Sequence, residues 1–276
     1  MPITDDHMHL NPRLGRGVEA IKEFRQAGGT HAFIVSLPAG ECGLAISTAE
    51  DYHAVYDLTV DAVRQANEYV HAYAVVGVHP AEFVGLAETM GVEQAYWVVK
   101  EGLEIAAKYV AEGKAVAIKS GRPHYPVSPE LLERSNALMR YAMDLCVDQG
   151  CAIQLHTESE PGTMVSISAI AKEAGLAPYR TIKHFSPPLV RECETLNVFP
   201  SVIATKGALE EALAQGTRFM LETDFIDDPR RPGAVLGPKT VPRKTKEAIR
   251  GGVSEDVFYK VHKDNPEKCY GIKIEL

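Results

Sequence analysis

Two histidines near the start of the chain have the spacing of a metal-binding pair. His7 and His9 lie two residues apart at the end of a short apolar segment. Side chains alternate faces along a β-strand, so both rings would point the same way, and imidazole nitrogens are common ligands for zinc. The pair alone is a weak indication, because two histidines also occur together on polar strand faces.

Four more residues with ligand chemistry end other short apolar segments: Lys119, His156, His184 and Asp224. Those segments alternate with longer stretches of helical periodicity, which is typical of parallel βα units. In a (β/α)8 barrel the functional groups stand at the carboxyl ends of the strands. We therefore expect these side chains to meet the two histidines at one end of such a barrel.

The segments themselves predict the fold class. No compositional break interrupts them, and 276 residues suit a single barrel. We predict one α/β domain over residues 1–276, a (β/α)8 TIM barrel of the metal-dependent hydrolase type. An open doubly wound sheet is the alternative, but the glycine-rich phosphate motif expected after its first strand is not in the sequence. The candidate strands are Ile3–Leu10, His31–Leu37, Ala72–Val78, Ala115–Ser120, Ala152–His156, Thr181–Phe185, Val198–Ala204 and Arg218–Thr223.

Amphipathic helices are predicted between the strands. Gly28 and Gly150 end two of them, and Ser128 followed by Pro129 begins another. The predicted helices are Val18–Ala27, Ala49–Tyr69, Glu93–Ala111, Pro129–Gln149, Thr163–Ala174, Pro187–Leu196 and Gly207–Gln215, with short helices near Thr245–Ile249 and Asp256–Lys263.

Composition and charge limit the partners. The net charge is −8 and no dense Lys/Arg stripe occurs, so strong sequence-independent binding of duplex DNA is not favoured. The five cysteines are odd in number and widely spaced, which indicates free thiols in a reducing compartment; we expect Cys146 and Cys151 to be buried. No apolar run is long enough for a membrane span and no secretory signal pattern occurs, so we expect a cytoplasmic protein. Homo-oligomerisation stays open.

The ordered motifs resemble those of the amidohydrolase superfamily, and within it the TatD-related hydrolases. The ordered set is specific although each segment alone is not, and it spans nearly the whole chain. The matching segments are TDDHMHL at 4–10, GVHP at 77–80, SGRPHY at 120–125, LHTE at 155–158, KHFS at 183–186, ETDF at 222–225 and DNPEKCYG at 264–271.

The resemblance implies a site for one or two divalent metal ions. His7, His9 and Asp224 would hold the more buried ion, His156 and His184 the more exposed one, and a group from the fourth strand would bridge them. Zinc is our first choice, with manganese, iron, cobalt or nickel as alternatives. The implied chemistry is hydrolysis by a metal-activated water, with Asp224 as the catalytic residue that orients the water and accepts its proton.

The fourth strand departs from the family pattern. TatD-type proteins usually carry glutamate there in a Glu-x-Gly context, whereas this chain has Lys119 in Lys-Ser-Gly. In one interpretation carbon dioxide carboxylates Lys119, as in phosphotriesterase-like members of the superfamily, and the carbamate binds metal. Burial would favour this because it supplies the neutral amine. In the other interpretation Lys119 stays protonated and the site holds one metal or none. We favour the carbamate.

Other polar residues follow the strands at the same end and are candidates for contact with substrate. The alternative for His79 is a structural role before Pro80, and the alternative for Arg122 is a surface ion pair. The long loop Thr223–Pro242, with Asp227, Asp228, Arg230 and Arg231, is either a wall of the site or a solvated charge cluster. His31, His53, His71 and His262 are expected to be structural or solvent-facing. The substrate-contact candidates are His79, Arg122, His124, Glu158 and Lys206.

These features together predict a metal-dependent hydrolase acting on ester bonds, with phosphoesters first. Similarity to TatD relatives implies deoxyribonuclease or phosphodiesterase activity, on a small molecule or a nucleic-acid end. The acidic charge and Lys119 weaken a nuclease assignment, so a phosphotriesterase-like lactone, ester or amide hydrolase is the alternative. A second alternative is a metal-binding barrel without turnover.

Overall fold

The computed structural model describes residues 1–160 and 162–275. Its centre is a sheet of nine strands in which every neighbouring pair is parallel. The strands are β1 (Thr4–His9), β2 (His31–Val35), β3 (His71–Gly77), β4 (Ala117–Gly121), β5 (Ala152–His156), β6 (Thr181–Ser186), β7 (Phe199–Ile203), β8 (Met220–Glu222) and β9 (Phe225–Ile226).

The two ends of this sheet are neighbours along the chain. β8 pairs with β7, whereas β9 pairs with β1, and only Thr223 and Asp224 separate β8 from β9. The sheet therefore curls until its last segment meets its first. The α/β prediction is confirmed, and the curled sheet is consistent with a TIM barrel. The predicted eighth strand Arg218–Thr223 is longer than the observed β8, and the left-handed φ of 45° at Asp224 lies in the break between β8 and β9.

Helices cover the outside of the sheet, as in other parallel α/β folds. Three predicted helices have the observed bounds, while α3 and α11 were not predicted. The helices are α1 (Val18–Ala27), α2 (Tyr52–Ala66), α3 (Pro80–Met90), α4 (Val92–Ala111), α5 (Pro129–Gln149), α6 (Thr163–Ala174), α7 (Val190–Thr195), α8 (Ala208–Gln215), α9 (Thr240–Arg250), α10 (Glu255–Tyr259) and α11 (Asn265–Tyr270).

One apolar cluster is enclosed by the curled sheet. It takes at least one residue from each of β2 to β8, together with Cys269 and Tyr270 of α11. The Tyr270 ring stacks on Phe33 with 4.1 Å between ring centroids, and its hydroxyl donates to Asp6 Oδ1 at 2.9 Å. The C-terminal helix therefore closes one end of the sheet, and the residues above it form the floor of a site at the other end.

Two expectations drawn from composition can be compared with the structure. All five cysteines are free and buried, including Cys146 and Cys151, as predicted. Within the described residues, no helix combines the length and the apolar character that crossing a bilayer requires.

Candidate metal centre

The first group of side chains at the carboxyl ends of the strands consists of His7, His9 and Asp224. The Nε2 atoms of the two histidines are 3.1 Å apart. Asp224 Oδ1 lies 3.7 Å from Nε2 of His7 and 3.5 Å from Nε2 of His9. All three residues are buried, and their atoms are close enough to hold one metal ion. The structure thus brings together the residues predicted for the more buried ion.

Hydrogen bonds on the far side of each ring determine which nitrogen carries the hydrogen. His9 Nδ1 is 2.8 Å from the Val35 carbonyl oxygen, which can only accept, so this nitrogen donates. His7 Nδ1 is 2.7 Å from Gln154 Oε1. The Gln154 amide is oriented by its Nε2, which donates to the Asp6 carbonyl oxygen at 2.9 Å. His7 Nδ1 is therefore a donor as well.

As a consequence, two imidazole lone pairs and one carboxylate oxygen face one another. Acceptors this close repel each other unless a cation lies among them, and nitrogen and oxygen donors of this kind suit zinc and related divalent ions. Burial lowers the pKa of His7 well below its usual range, which keeps the ring neutral and able to ligate. The donor set therefore fits a divalent metal ion.

Asp224 reaches this position through a strained backbone. A left-handed conformation is unfavourable for most residues but is tolerated better by aspartate than by larger side chains. The Asp224 N–H donates to the His7 carbonyl oxygen at 2.9 Å, and Thr223 Oγ1 donates to Asp5 Oδ2 at 2.7 Å. The interruption between β8 and β9 thus turns the Asp224 carboxylate toward the two histidines.

A second group, formed by His156, His184 and Glu222, lies beside the first. His156 Nδ1 is 3.0 Å from His184 Nε2, and His184 Nδ1 is 3.0 Å from Glu222 Oε1. The His184 ring stacks on His7 with 3.8 Å between ring centroids. Burial lowers the pKa of both His156 and His184 well below the usual range, so both rings are neutral and have the form that ligates metal.

Lys119 lines the same cavity as members of both groups. The residue is 1% exposed, and its Nζ has no hydrogen-bond partner among the described residues. Burial lowers the pKa of Lys119 to about 8, against the opposing effect of the Asp224 and Glu222 carboxylates. A buried ammonium without a partner is costly, so these surroundings favour the neutral amine.

The glycine in Lys-Ser-Gly has a structural reason. A Cβ atom at Gly121 would collide with the His156 carbonyl oxygen. The next residue, Arg122, donates its N–H to that same oxygen at 2.9 Å. Glycine therefore lets the end of β4 approach β5 closely and holds the backbone beside His156.

These groups open into a cavity of about 580 Å³. Most of the predicted site residues line it, and His7 lies beneath its floor. Phe185, Glu41 and Arg231 also line the cavity, although they were not among the predicted site residues. The predicted residues in the lining are His9, His79, Lys119, His124, His156, Glu158, His184 and Asp224.

Two of the substrate-contact candidates do not line the cavity. Arg122 is buried and lies outside the lining; its Nε and Nη2 donate to the two carboxylate oxygens of Glu158 at 2.9 and 2.5 Å. Its guanidinium also donates to Ser166 Oγ at 2.9 Å, so Arg122 forms an ion pair, as in the alternative prediction, but a buried one that positions Glu158. Lys206 is exposed and lies outside the lining.

His79 and His124 flank His156. His79 Nδ1 accepts the Ala81 N–H at 3.1 Å, which places the ring hydrogen on Nε2. The His79 ring centroid is 4.2 Å from that of His156, and His124 Nδ1 is 2.8 Å from His156 Nε2. Since His79 also begins α3, it combines the structural role and the cavity position that the sequence left as alternatives.

Sequence reasoning missed Gln154, Glu222 and Lys183. Gln154 and Glu222 each precede a predicted ligand by two residues, so strand alternation places them on the same face as that ligand, and this was the available signal. Lys183 Nζ donates to the carbonyl oxygens of Thr157 and His184 at 3.2 and 2.5 Å. Nothing in the sequence signals this last contact.

The loop after β9 forms part of the cavity wall. Arg231 lines the cavity, and it pairs with Asp228 at 2.8 Å and with Glu41 at 2.9 Å. Asp227 is buried, and its carboxylate accepts the N–H groups of Asn11, Arg16 and Gly17. The wall hypothesis therefore fits this loop better than a solvated charge cluster does.

The four remaining histidines named above lie away from this cavity. His31 and His71 stack with 4.9 Å between ring centroids, at the start of β2 and β3; His71 is the first residue of its strand, not the residue before it. His262 is buried and accepts the Thr4 N–H at 3.1 Å. His53 lies on α2 and is partly exposed. Their surroundings agree with structural or surface roles.

The curled parallel sheet and the convergent histidines and carboxylates define the class as a metal-dependent hydrolase. Residues 4–271 match the family model described as TatD related DNase, and the chain belongs to that family. An uncharacterised protein of Methanocaldococcus jannaschii is 38% identical over 283 residues, covering 100% of this chain and 98% of that protein. The family match confirms the predicted family and the prediction of a metal-dependent hydrolase.

Solved structures with the same fold include phosphotriesterase-like enzymes. The organophosphorus hydrolase from Deinococcus radiodurans superposes with a TM-score of 0.65 at 16% identity, over 98% of this chain and 92% of that one. The phosphotriesterase homology protein from Escherichia coli, complexed with phosphate in its active site, gives a TM-score of 0.65 at 13% identity, over 98% of each chain. At these identities the similarity concerns the fold.

Proposed function

We propose that the protein hydrolyses phosphoester bonds in a small molecule or at a nucleic-acid end. The observation that carries this proposal is the convergence of His7 Nε2, His9 Nε2 and Asp224 Oδ1 at the floor of the cavity. A divalent ion bound there would lower the pKa of a water molecule and polarise a phosphoryl oxygen.

The chain supplies the proton chemistry and the orientation. Asp224 is placed to orient the attacking water and to accept its proton, because its carboxylate lies at the cavity floor beside both histidines. His79 Nε2 carries a hydrogen and its ring lines the cavity. It can therefore donate a hydrogen bond to a substrate oxygen on which negative charge develops.

Lys119 decides how many ions the site holds. We propose that its neutral Nζ attacks carbon dioxide and loses a proton, and that the resulting carbamate oxygens ligate a second ion together with His156 and His184. The unpartnered, buried Nζ supports this step. Zinc is the proposed metal, because nitrogen donors predominate in the set. Intact mass of the native protein should then show about 44 Da in excess, lost on acidification; an unmodified lysine in metal-loaded protein would contradict the carbamate.

The same geometry supports the finer fold assignment. We propose that β8 and β9 are two halves of one strand interrupted at Thr223 and Asp224, so that the sheet corresponds to the eight parallel strands of a (β/α)8 barrel. We propose that residues 1–276 form this single domain. The buried free cysteines support a reducing compartment, and we propose a cytoplasmic location.

The size of the cavity limits the substrate. About 580 Å³ lies within the range of small-molecule sites, and the net charge of −8 does not favour duplex binding. The substrate end that enters is therefore about the size of one nucleotide or smaller.

A substrate panel on zinc- or manganese-loaded protein tests the activity. We expect turnover of bis(p-nitrophenyl) phosphate, and we expect Asp224→Asn to lower kcat by at least about a hundredfold, since removing a group that acts in the transition state has effects of this size. Metal content measured on the same samples distinguishes a variant that has lost its metal from one that keeps the metal but has lost activity. Metal-loaded wild type that cleaves no phosphoester would contradict the proposal.

One observation favours a second candidate, the hydrolysis of lactones, carboxylic esters or amides. Among the described lining residues, the cations are Lys119 and Arg231, and Arg231 is paired with two carboxylates. The wall of the cavity therefore offers little unpaired positive charge to an anionic phosphodiester. Turnover of lactones or p-nitrophenyl acetate without any phosphodiesterase activity would identify this second function.

A further inference from the structure

Phe185 is an exposed aromatic residue at the metal centre. Its side chain lines the cavity, and the residue is 39% exposed. Its ring centroid is 6.1 Å from the His184 ring, with the two planes at 74°. A large apolar surface thus stands beside a predicted ligand and in reach of whatever occupies the cavity.

The backbone of Phe185 is in an unfavourable conformation. Its φ is 51°, which is uncommon for any residue other than glycine, and a bulky side chain makes it a clear outlier. β6 has one more residue than β7 between the pairs Lys183–Pro200 and Ser186–Val202, so Phe185 lies in a bulge. Bulges next to active sites commonly change the direction in which a side chain points.

Three contacts hold this conformation in place. The Phe185 N–H donates to Glu222 Oε1 at 2.8 Å, the same oxygen that faces His184 Nδ1. The Phe185 carbonyl oxygen accepts from Ser159 Oγ at 3.2 Å and from Lys183 Nζ at 3.5 Å. The backbone conformation of Phe185 is therefore held by the same carboxylate oxygen that faces His184 Nδ1.

Stability alone does not explain a phenylalanine here. Glycine would adopt the backbone conformation without strain, and a ring that remains more than a third exposed gains only part of the free energy of burial. Strained conformations held in place by their surroundings cluster at functional sites. The combination of strain, exposure and position points to a contact with substrate.

We propose that Phe185 determines specificity by stacking on a flat aromatic group of the substrate next to the ester that is cleaved. This proposal rests on the phosphoester hydrolysis proposed above and names the substrate class, a phosphoester of an aryl or nucleobase-bearing alcohol. Leu37, Pro38 and Ile226 also line the cavity and give the flat group further apolar contact. Aromatic rings stack on one another in offset or edge-to-face arrangements.

Paired ligands test the stacking without requiring turnover. Binding of phenylphosphonate and methylphosphonate to metal-loaded protein is measured by calorimetry. We expect wild type to prefer the phenyl ligand by roughly 5- to 10-fold, the size expected of an aromatic pair. Phe185→Gly and Phe185→Leu should remove this preference, whereas Phe185→Trp should keep it. In steady-state kinetics, Phe185→Gly should raise KM for aryl esters more than it lowers kcat.

Thermal unfolding separates a substrate contact from a structural one. Phe185→Gly relieves backbone strain, so its Tm should not fall by more than about 2 °C. Asn197 is exposed and also has a positive φ, of 58°, away from the cavity. Asn197→Gly is therefore the matched control, and it should leave the ligand preference unchanged.

Two results would overturn the role of Phe185. One is that wild type and Phe185→Gly prefer phenylphosphonate over methylphosphonate to the same extent, or that wild type shows no such preference. The other is a large drop in Tm for Phe185→Gly, which would make the ring structural. If wild type cleaves no phosphoester but shows the phenyl preference, the proposed function fails while the stacking contact stands.

Discussion

At the scale of single residues, Gln154 sets the chemistry of His7. Its side-chain oxygen accepts from His7 Nδ1 at 2.7 Å, while its nitrogen donates to Asp6 and to Tyr270. The amide cannot rotate without losing these bonds, so the His7 lone pair on Nε2 is fixed toward His9 and Asp224. Gln154 is not a predicted ligand, but it orients the His7 ring for metal binding.

Replacing Gln154 should therefore weaken metal binding without touching a ligand. We expect Gln154→Leu to lower zinc affinity by about 10- to 100-fold, the usual cost of losing a partner that orients a histidine ligand. Gln154→Glu keeps an acceptor oxygen for His7 Nδ1 and should retain more affinity. Competition with a chromogenic chelator measures both, and wild-type affinity in a folded Gln154→Leu would contradict this role.

The sequence predicts the candidate ligands but not their partners. His7, His9 and Asp224 are candidates by residue type, by position at strand ends and by the resemblance to TatD-related hydrolases. Gln154 lies 147 positions from His7 along the chain, and only the curling of the sheet brings the two together. The sequence shows that Glu222 lies two residues before Asp224, but nothing in it indicates that His184 is the partner of Glu222.

At the scale of elements, close contact between β4 and β5 positions His156. A Cβ at Gly121 would collide with the His156 carbonyl oxygen, which is backbone and cannot move aside as a flexible side chain can. We expect Gly121→Ala to destabilise the fold by about 3 kcal/mol or more, in the range of severe overpacking. Chemical denaturation measures the free energy of unfolding.

The matched control lies in a neighbouring helix. Gly85 is in the interior of α3 and has open space where a Cβ would be. Gly85→Ala should raise stability by roughly 0.5–1 kcal/mol, because alanine is the better helix former. Equal effects of the two substitutions would show that contact with β5 is not what requires glycine at position 121.

Lys183 connects the ends of β5 and β6. It is buried, and its Nζ donates to carbonyl oxygens just after His156 and at His184. Lys183→Met should cost about 2–4 kcal/mol of unfolding free energy, because buried carbonyl oxygens lose their donor. Lys172→Met on the exposed surface of α6 is the control and should stay within about 0.5 kcal/mol of wild type.

The elements were predicted where local patterns decide them. Buried parallel strands form continuous apolar runs, and α1, α5 and α6 end at glycines that the sequence shows. α3 was missed although His79 caps it, Pro80 is its first residue and Gly91 follows it. The break between β8 and β9 could not be predicted, because it depends on the left-handed Asp224 and its bond to His7.

At the scale of the whole molecule, the C-terminal segment secures the end opposite the cavity. His262 is fully buried between β1 and α9: its Nδ1 accepts the Thr4 N–H at 3.1 Å, and its Nε2 lies 2.8 Å from Thr245 Oγ1. Nδ1 also lies 3.2 Å from the Thr4 carbonyl oxygen, to which a protonated ring could donate, but it accepts the Thr4 N–H only when the ring is neutral. Burial lowers the pKa of His262 to about 3.

This arrangement predicts how stability depends on pH. The unfolded chain protonates His262 near its ordinary pKa of about 6.5, whereas the folded chain does not until about pH 3. Between these values the unfolded state binds more protons, so the free energy of unfolding falls as the pH falls. One such group contributes a slope of at most about 1.4 kcal/mol per pH unit.

His262→Asn isolates this contribution, because its amide oxygen can still accept the Thr4 N–H but does not titrate. Urea unfolding of wild type and variant between pH 4 and pH 6.5 should show a shallower loss of stability in the variant, by up to about 1.4 kcal/mol per pH unit. Parallel curves for wild type and His262→Asn would mean that the ring is already protonated in the folded protein, and that its bond to Thr4 is not what fixes the C-terminal segment against β1.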